Sequence, residues 1–398
     1  MTPIKVHKLI WAKVFTTAVS LASAFMLNAA ASASVDERIK VAEGITLSQF
    51  ATVPNARQMA LTPNGSIFVG SRKLGKVHGV SPNGRVWELA SGLNMPSGVA
   101  LDSQGNLFVA AVNRIYKVVG AAKALDSAVE QAPQLNFEIL IDALPTAQHH
   151  GWKAITLSPD EKSLIVPVGA PCNICLVYPE SGEQPYGTVL RVDVAKLNQG
   201  DLSYDFLATG VRNSVGMDFH PISGELWFSD NGRDMMGDDM PPCEINRIDD
   251  QAELPRHYGY PFIHGNPNKG GTFEPQSDIA KFKPKNTQFV DPVVEIQAHS
   301  APLGIHFYRG SHPRLQGALL VAEHGSWNRS SPVGYRVSAY WFDEQNNMQK
   351  HEVLADFLTS SGDKLGRPVD FVETPEGHIL VSDDAKSRLW KLQLEPAS

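Results

Sequence analysis

The chain has 398 residues, of which 42% are hydrophobic and 19% charged, and its formal net charge at pH 7 is −7. This size permits a large hydrophobic core, in one big domain or in two smaller ones. The acidic balance argues against nucleic acid or anionic lipid as a partner.

The amino-terminal segment resembles an export signal. Lysines precede an apolar run that ends in Ala31-Ser32-Ala33, and no acidic residue occurs among residues 1–34. This pattern predicts a secretory signal peptide over residues 1–34. An uncleaved membrane anchor is the alternative, but the run is short for a span and is interrupted by Thr, Ser and Asn. Removal of the signal would change the net charge from −7 to −10, and we expect no stable membrane insertion afterwards.

Six segments share one pattern, in which an apolar alternating strand, a turn with Pro, Asp, Asn or Gly, and a second apolar strand follow one another. In chain order they span residues 59–70, 98–110, 154–169, 216–230, 304–323 and 369–384. Alternation with a period of two between such turns predicts β-hairpins, and a further strand-like run follows each segment. We therefore expect an all-β chain that forms a six-bladed β-propeller of four-stranded antiparallel blades over residues 35–398. A pair of β-sandwiches or an irregular β-solenoid is the alternative.

A long stretch separates the fourth and fifth units. Residues 251–290 are rich in Pro, Gly, Lys and Asn. Excursions of this length inside a compact fold are usually functional. We expect an ordered insertion on one propeller face that shapes the substrate entrance.

The segments that open the units carry polar residues where a propeller places its central channel. "QHHGWKAI", "GVRNSVGM", "AHSAPLGI" and "GRPVDF" contribute His149, His150, Arg212, Asn213, His299 and Arg367. Each residue taken singly favours a structural role. Buried Arg and His nevertheless need polar partners, so the shared bias predicts a polar site in the channel.

The loop within "LWFSDNGRDMMGDDMPPCEINRI" (226–248) carries an unusual amount of polar chemistry for a turn. A solvated turn, a separate Ca²⁺ loop and part of a cofactor pocket are the three interpretations. The loop does not match the EF-hand spacing, because Gly232 comes too early after Asp230.

The segments that open the units, together with "DNGRDMMGDDMPPCEIN", "HYGYPF" and "APLGIHFY", resemble those of the soluble quinoprotein sugar dehydrogenases. The resemblance extends over almost the whole mature chain. The resemblance is strongest to the sorbosone dehydrogenase-like members and more distant to soluble glucose dehydrogenase. It implies a propeller that holds pyrroloquinoline quinone (PQQ) and Ca²⁺. It also implies oxidation of a sugar-like alcohol or aldehyde, with hydride transfer to PQQ and electrons passed to an external acceptor such as a cytochrome c or a quinone.

The resemblance assigns cofactor contacts to several polar residues. PQQ carries three carboxylates, which guanidinium groups bind well because they stay charged and fork onto a carboxylate. Where the family has a Lys in the fifth unit, the alignment leaves Arg329 and Arg336 as alternatives. The full set of candidate PQQ contacts is Arg212, Asn213, Asn231, His299, Arg329, Arg336 and Arg367.

The resemblance also implies that main-chain carbonyls of the loop bind Ca²⁺. The matching positions are Gly232 and Arg233, and Ca²⁺ accepts main-chain oxygens readily. We expect Gly232 to occupy a glycine-type turn. Asp238 and Asp239 would order the loop without binding the metal.

His150 is the candidate general base, with His149 as its rival. His150 lies ten residues before Asp160, as the base does in the distant relative. A neutral imidazole can take the proton of a substrate hydroxyl near pH 7. Ala170 stands where glucose dehydrogenase has an Asp that supports the base.

The three cysteines leave the disulfide pairing open. Cys172 can pair with Cys175, or either can pair with Cys243. Leu176 follows the C-x-x-C motif in place of the His that haem attachment needs, so we expect an external electron acceptor.

Two other functions fit a propeller. A Ca²⁺-dependent lactonase would need a ring of carboxylates and amides in the channel. A non-enzymatic binding propeller would not need cations that converge there.

Overall fold

The structure, a computed structural model, describes residues 35–249 and 251–396. The signal-peptide prediction for residues 1–34 lies outside these residues. None of the described helices is long and apolar enough to cross a membrane.

Short β-strands separated by tight turns make up most of the described chain, as expected from its β-branched and aromatic alternation. Up to residue 209 the elements are β1 (Lys40–Val41), β2 (Ile45–Thr52), β3 (Ala56–Leu61), β4 (Ile67–Ser71), β5 (Val77–Val80), β6 (Val86–Ala90), β7 (Gly98–Leu101), β8 (Leu107–Ala110), β9 (Ile115–Val118), α1 (Ala121–Asp126), β10 (Glu138–Ile141), β11 (Thr156–Leu157), β12 (Ser163–Val168), β13 (Thr188–Asp193), α2 (Val194–Leu197) and β14 (Tyr204–Thr209). The elements that follow are β15 (Met217–Phe219), β16 (Leu226–Asp230), β17 (Cys243–Ile248), β18 (Arg256–His257), β19 (Ile263–His264), β20 (Thr272–Phe273), α3 (Ser277–Ala280), β21 (Val294–Ile296), β22 (Pro302–Phe307), β23 (Leu319–Glu323), β24 (Arg336–Phe342), β25 (Met348–Asp356), β26 (Pro368–Glu373), β27 (Ile379–Asp383) and β28 (Arg388–Leu394).

Within the described residues, six sheets of four or five strands follow one another as the blades of a propeller. Blade 1 consists of β3 to β6, blade 2 of β7 to β10, blade 3 of β11 to β14, blade 4 of β15 to β17 with β21, blade 5 of β22 to β25, and blade 6 of β26 to β28 with β2. In addition, β1 pairs with β25 at the outer edge of blade 5, and β18 runs parallel to β14 in blade 3. The prediction of a six-bladed β-propeller of antiparallel blades is confirmed.

Blade 6 closes the ring with strands from both ends of the described chain. β2 pairs antiparallel with β28, from Ile45 opposite Leu394 to Thr52 opposite Arg388. Because one strand of this blade comes from the opposite end of the chain, the ring cannot open without breaking the β2–β28 ladder.

Apolar side chains pack between neighbouring blades. Phe108 of blade 2 and Val166 of blade 3 belong to one buried cluster, and Val189 of blade 3 packs with Phe228 of blade 4 in the next. Burial of each such side chain contributes about 1.5–3 kcal/mol. These interfaces hold the innermost strands around the channel.

The innermost strands are irregular where they begin. The register between β3 and β4 shifts between Ala56 and Met59, and that between β26 and β27 shifts between Pro368 and Phe371. Such bulges redirect side chains. The polar opening residues therefore lie beside irregular backbone at one end of the channel.

The stretch 251–290 is ordered where it is described. It contributes β18, the hairpin of β19 and β20, in which Ile263 faces Phe273, and α3. Glu274 follows this hairpin and is buried. The insertion thereby brings an acidic side chain to the loop that follows β16.

Candidate active site

A cavity of about 320 Å³ lies where the innermost strands begin. The segments that precede β11, β15, β22 and β26 meet there. Of the candidate catalytic, cofactor and metal residues, those that line the cavity are His150, Arg212, Asn213, Asn231, Gly232, His299 and Arg367. The convergence expected of the propeller is therefore present for this set.

His150 is held at one ring nitrogen and free at the other. Its Nδ1 lies 2.9 Å from the carbonyl oxygen of Ala170, so Nδ1 carries the proton. Nε2 has no hydrogen-bond partner among the described residues. Burial, followed by the charge of Arg212, lowers the pKa of His150 to about 2. The ring is therefore neutral at pH 7 and can accept a proton at Nε2.

The rival His149 occupies a different environment. Its ring centroid lies 4.1 Å from that of His150, but the residue is exposed and is not part of the cavity lining. The geometry therefore favours His150 as the base. The main-chain carbonyl of Ala170 holds the His150 ring, at the position where the resemblance to glucose dehydrogenase implies an Asp in that relative.

Arg212 is buried, and its guanidinium group is fully engaged by the protein. Nε donates to the carbonyl of Asn173 at 3.0 Å, and Nη2 donates to Asn173 Oδ1 at 2.8 Å and to Asp234 at 3.0 Å. Nη1 donates to the carbonyls of Asn231 and Gly232 at 3.1 and 2.9 Å. All five N–H donors have acceptors. Arg212 joins the loop around Asn173 to the loop after β16.

Asn213 and Asn231 present buried amide oxygens without donors. The Oδ1 atom of each has no hydrogen-bond partner among the described residues. Asp230 holds the backbone that carries Asn213, because its carboxylate accepts the backbone N–H groups of Arg212 and Asn213 at 2.9 and 2.6 Å. Burial raises the pKa of Asp230 to about 6. Buried oxygens of this kind need a donor or a cation, which a ligand can supply.

Arg367 also lines the cavity but keeps free donors. Its Nε donates to the carbonyl of His324 at 3.0 Å, and Nη2 donates to the carbonyl of Gly325 at 2.7 Å. Its other N–H groups have no acceptor among the described residues, and no carboxylate pairs with it. Arg367 is therefore a cation available to an anionic ligand.

Two further arginines, Arg57 and Arg72 of blade 1, line this cavity and were not predicted from the sequence. Arg57 donates to Asp384 at 2.9 Å. Arg72 has no hydrogen-bond or ion-pair partner for its guanidinium group among the described residues. Arg57 lies at the start of β3, the inner strand of blade 1, and Arg212 and Arg367 likewise lie just before the inner strands of their blades. The polar residues at the start of each unit were therefore a sequence signal that could have identified Arg57.

The two candidate Ca²⁺ residues, Gly232 and Arg233, differ from each other in their surroundings. Gly232 lines the cavity, and Arg233 turns its side chain into a buried ion pair with Glu274, with Nη1 and Oε1 2.6 Å apart. The expectation of a glycine-type turn was wrong, because the φ angle of Gly232 is not in the left-handed region. Glycine is needed there for space: a Cβ would lie 2.5 Å from the carbonyl oxygen of Pro242.

The acidic end of the loop is tied to a loop of blade 5. Arg329 donates to the carbonyl of Asp238 and lies 3.1 Å from the carboxylate of Asp239. His299 Nε2 lies 2.8 Å from the carbonyl of Gly237. Asp238 and Asp239 therefore order the loop, as expected, and Arg329 holds them instead of lining the cavity.

Arg336 lies within blade 5. Its Nε is 2.9 Å from the buried carboxylate of Glu323, which faces it across the β23–β24 ladder. It does not line the cavity, so the structure brings neither blade-5 arginine to the site.

The cysteines pair as Cys172–Cys175, while Cys243 is free and buried. Asn173, which holds Arg212, lies inside this disulfide loop. Cys243 lines the cavity, and burial raises the pKa of its thiol to about 11.

No group of three or more His, Cys, Asp or Glu side chains within residues 35–249 and 251–396 has the arrangement of a metal centre.

Comparison with known proteins identifies the family. The family model described as TrAA12-like matches residues 40–395. The chain belongs to the TrAA12-like family. The match confirms the family resemblance that the motifs indicated.

Individual relatives of this TrAA12-like chain differ in how much they share with it. An uncharacterized protein of Borreliella burgdorferi is 33% identical, over 92% of this chain and 93% of that protein. A pyrroloquinoline quinone-dependent pyranose dehydrogenase of Coprinopsis cinerea is 24% identical over 77% of this chain, which spans only 53% of that protein. The calcium structure of Trichoderma reesei Carbohydrate-Active Enzymes Family AA12 superposes with a TM-score of 0.74 at 20% identity, over 89% of this chain and 97% of that chain. At this identity the structural likeness shows the fold alone.

Proposed function

We propose that this chain is an exported quinoprotein oxidoreductase that uses PQQ and Ca²⁺ to oxidise a sugar-like alcohol or aldehyde. The observation that carries the proposal is the composition of the cavity wall. Four residues line one cavity: the neutral base His150, the cation Arg367, and Asn213 and Asn231. Within residues 35–249 and 251–396, Arg367 has no carboxylate partner and the buried amide oxygens of Asn213 and Asn231 have no donor. The PQQ dependence of the Coprinopsis relative supports the same assignment.

The residues present fit PQQ. Its carboxylates match the free donors of Arg367 and the positive charge of Arg212, and its polar ring atoms match the amides of Asn213 and Asn231. His299 lines the same cavity and is the remaining candidate PQQ contact. We assign Arg329 and Arg336 to support of the surrounding loop and blade.

The loop also fits Ca²⁺ through neutral oxygens. Carbonyl oxygens of Gly232 and Arg233 would hold the ion, with the Asn231 amide oxygen nearby. The Gly232 carbonyl accepts a hydrogen bond from Arg212 in this structure. When Ca²⁺ binds, this carbonyl would either bind the ion as well or give up the hydrogen bond to Arg212. The calcium structure of the Trichoderma protein supports a calcium site in this family.

The chain's own contribution to the reaction is proton transfer and positioning. When bound, PQQ supplies an ortho-quinone that accepts hydride. His150 takes the proton of the substrate hydroxyl at Nε2, while the bond from Nδ1 to Ala170 keeps the ring in place. The reaction would need an external electron acceptor, such as a cytochrome c or a quinone. Export is supported by the signal-like residues 1–34 and by the Cys172–Cys175 disulfide.

Reconstitution tests this function. The mature chain, freed of metal and cofactor, is titrated with PQQ in the presence of Ca²⁺, and reduction of an artificial dye is followed across a panel of neutral and acidic sugars. We expect saturable PQQ binding, and dye reduction that requires both PQQ and Ca²⁺. Absence of PQQ binding at micromolar concentrations would contradict the proposal.

A further inference from the structure

Arg72 is a cation in the cavity wall, and no carboxylate of the described residues pairs with its guanidinium group. Its guanidinium carbon lies 4.4 Å from the ring centroid of Trp152. By contrast, Arg57 pairs with Asp384, and Arg367 donates to main-chain carbonyls. Burial and the nearby positive charge of Arg57 lower the pKa of Arg72. A partly desolvated guanidinium group in this position is stabilised when a ligand brings a negative charge.

The surroundings of Arg72 place it on the side of the cavity that holds the candidate base. Trp152, on which Arg72 stacks, packs edge-on against His150 with ring centroids 5.9 Å apart. Trp152 Nε1 is buried and has no acceptor among the described residues. The guanidinium group and this indole therefore supply N–H donors close to the proton-accepting imidazole.

The candidate cofactor residues of blade 4 lie elsewhere in the ring of blades, whereas Arg367, on blade 6, is next to blade 1. Arg72 follows β4 of blade 1, whereas Arg212, Asn213 and Asn231 flank β15 and β16 of blade 4. In a ring of six blades, the first and fourth are opposite each other. An anion bound by Arg72 therefore lies across the cavity from the blade-4 contacts and beside His150.

We propose that Arg72 and Trp152 form a subsite for the anionic group of an acidic sugar, such as a uronic acid, whose hydroxyl group is oxidised next to His150. This rests on the proposed function of the same cavity. A guanidinium group with free donors can bind a carboxylate through two parallel hydrogen bonds. A neutral sugar leaves Arg72 unpaired, so the subsite selects for charge.

The variants that test the subsite are Arg72→Gln, Arg72→Lys and Lys73→Gln. Lys73→Gln is the matched control, because it removes one positive charge from the next residue, which is exposed and outside the cavity lining. Each variant is assayed with glucose, glucuronate and glucose 6-phosphate. PQQ affinity and the calorimetric binding of glucuronate to the PQQ-free protein are measured in parallel.

We expect the wild type to prefer an acidic sugar to glucose. In Arg72→Gln the ratio of kcat/KM between acidic and neutral sugar should fall about 10- to 100-fold, the usual effect of losing a charge-assisted hydrogen bond. The fall should appear mainly in KM, and Arg72→Lys should recover part of it. PQQ affinity should change less than twofold, and Lys73→Gln should behave as the wild type does. Preference for glucuronate or for glucose 6-phosphate distinguishes carboxylate from phosphate as the anion.

Two results would overturn the subsite. If Arg72→Gln weakens PQQ binding tenfold or more, Arg72 serves the cofactor. If it lowers kcat/KM for neutral and acidic sugars equally, there is no charge-selective site. Should the protein bind no PQQ at all, the proposed function fails by itself. Calorimetry then still decides the subsite: loss of glucuronate binding in Arg72→Gln supports it, and absence of binding to the wild type refutes it.

Discussion

His150 combines a fixed orientation with a free lone pair. The bond from Nδ1 to the Ala170 carbonyl leaves Nε2 to accept a proton. We expect His150→Ala to lower kcat by about 10²–10⁴, the usual contribution of acid–base catalysis, with PQQ affinity nearly unchanged. Steady-state dye reduction and PQQ titration measure the two quantities. His149→Ala is the control, and a larger loss in that variant would transfer the role to His149.

Arg367 and Arg212 should differ in how they affect PQQ. Arg367 keeps free donors, so Arg367→Gln should raise the PQQ dissociation constant about 10- to 100-fold with little change in Tm. Arg212 has all its donors engaged by the two loops. Arg212→Gln should therefore lower Tm and weaken Ca²⁺ and PQQ binding together. Calorimetry and thermal unfolding separate the two patterns, and identical behaviour of both variants would refute the distinction.

At the scale of elements, a buried ion pair joins the insertion to the loop after β16. Arg233 and Glu274 are almost fully buried, and His264 Nε2 lies 2.9 Å from the same carboxylate. Arg233→Ala leaves the Glu274 charge without its main partner, which costs about 3–5 kcal/mol. We expect a lower Tm and weaker Ca²⁺ binding, because the carbonyls of Gly232 and Arg233 lose their support.

A double substitution provides the control for the ion pair. Replacing Arg233 and Glu274 together with Met removes both charges and keeps apolar volume, so it should be less destabilising than Arg233→Ala alone. Thermal unfolding of the two variants measures this. A double variant as unstable as Arg233→Ala would mean that the lost pairing is not the cause.

At the scale of the whole molecule, contacts between inner strands connect the blades. Asp370 of β26 accepts the backbone N–H of Met59 of β3 at 2.8 Å, and burial raises the pKa of Asp370 from 3.8 to about 7. The folded protein therefore holds this proton more tightly than the unfolded chain. Stability from this group is present below pH 4 and is lost as the pH rises towards and through 7.

Asp370→Asn should reveal this pH dependence. Asn keeps an oxygen to accept the Met59 N–H but does not titrate, so the Tm of the variant relative to the wild type should increase from pH 4.5 to pH 8. Asp205→Asn, at an exposed carboxylate on blade 3, is the control. A Tm difference for Asp370→Asn that stays constant over this range would contradict the assignment.

The fold could be predicted because its signals are local. Alternation with a period of two and turn residues recur along the chain, and a run such as residues 59–70 becomes β3, its turn and β4. The propeller topology then brings the unit openings together, so His150, Arg212 and Arg367 could be placed in one cavity from the sequence. Arg72 follows the second strand of its blade, where the opening pattern carries no signal.

By itself, the sequence determined the six-bladed architecture, the convergence of its polar openings and the family. Only the tertiary structure decided which arginines are free. Arg212 is engaged by Asn173, 39 residues away, and Arg233 by Glu274, 41 residues away. Arg329 and Arg336 are held by acidic loop and strand residues, whereas the Arg72 guanidinium group stacks on Trp152 and has no acidic partner in the part of the chain that the structure describes. The physical reason is that a periodic pattern specifies which backbone pairs with which, whereas the partners of a charged side chain come from loops that are distant in sequence and meet only after the blades have packed.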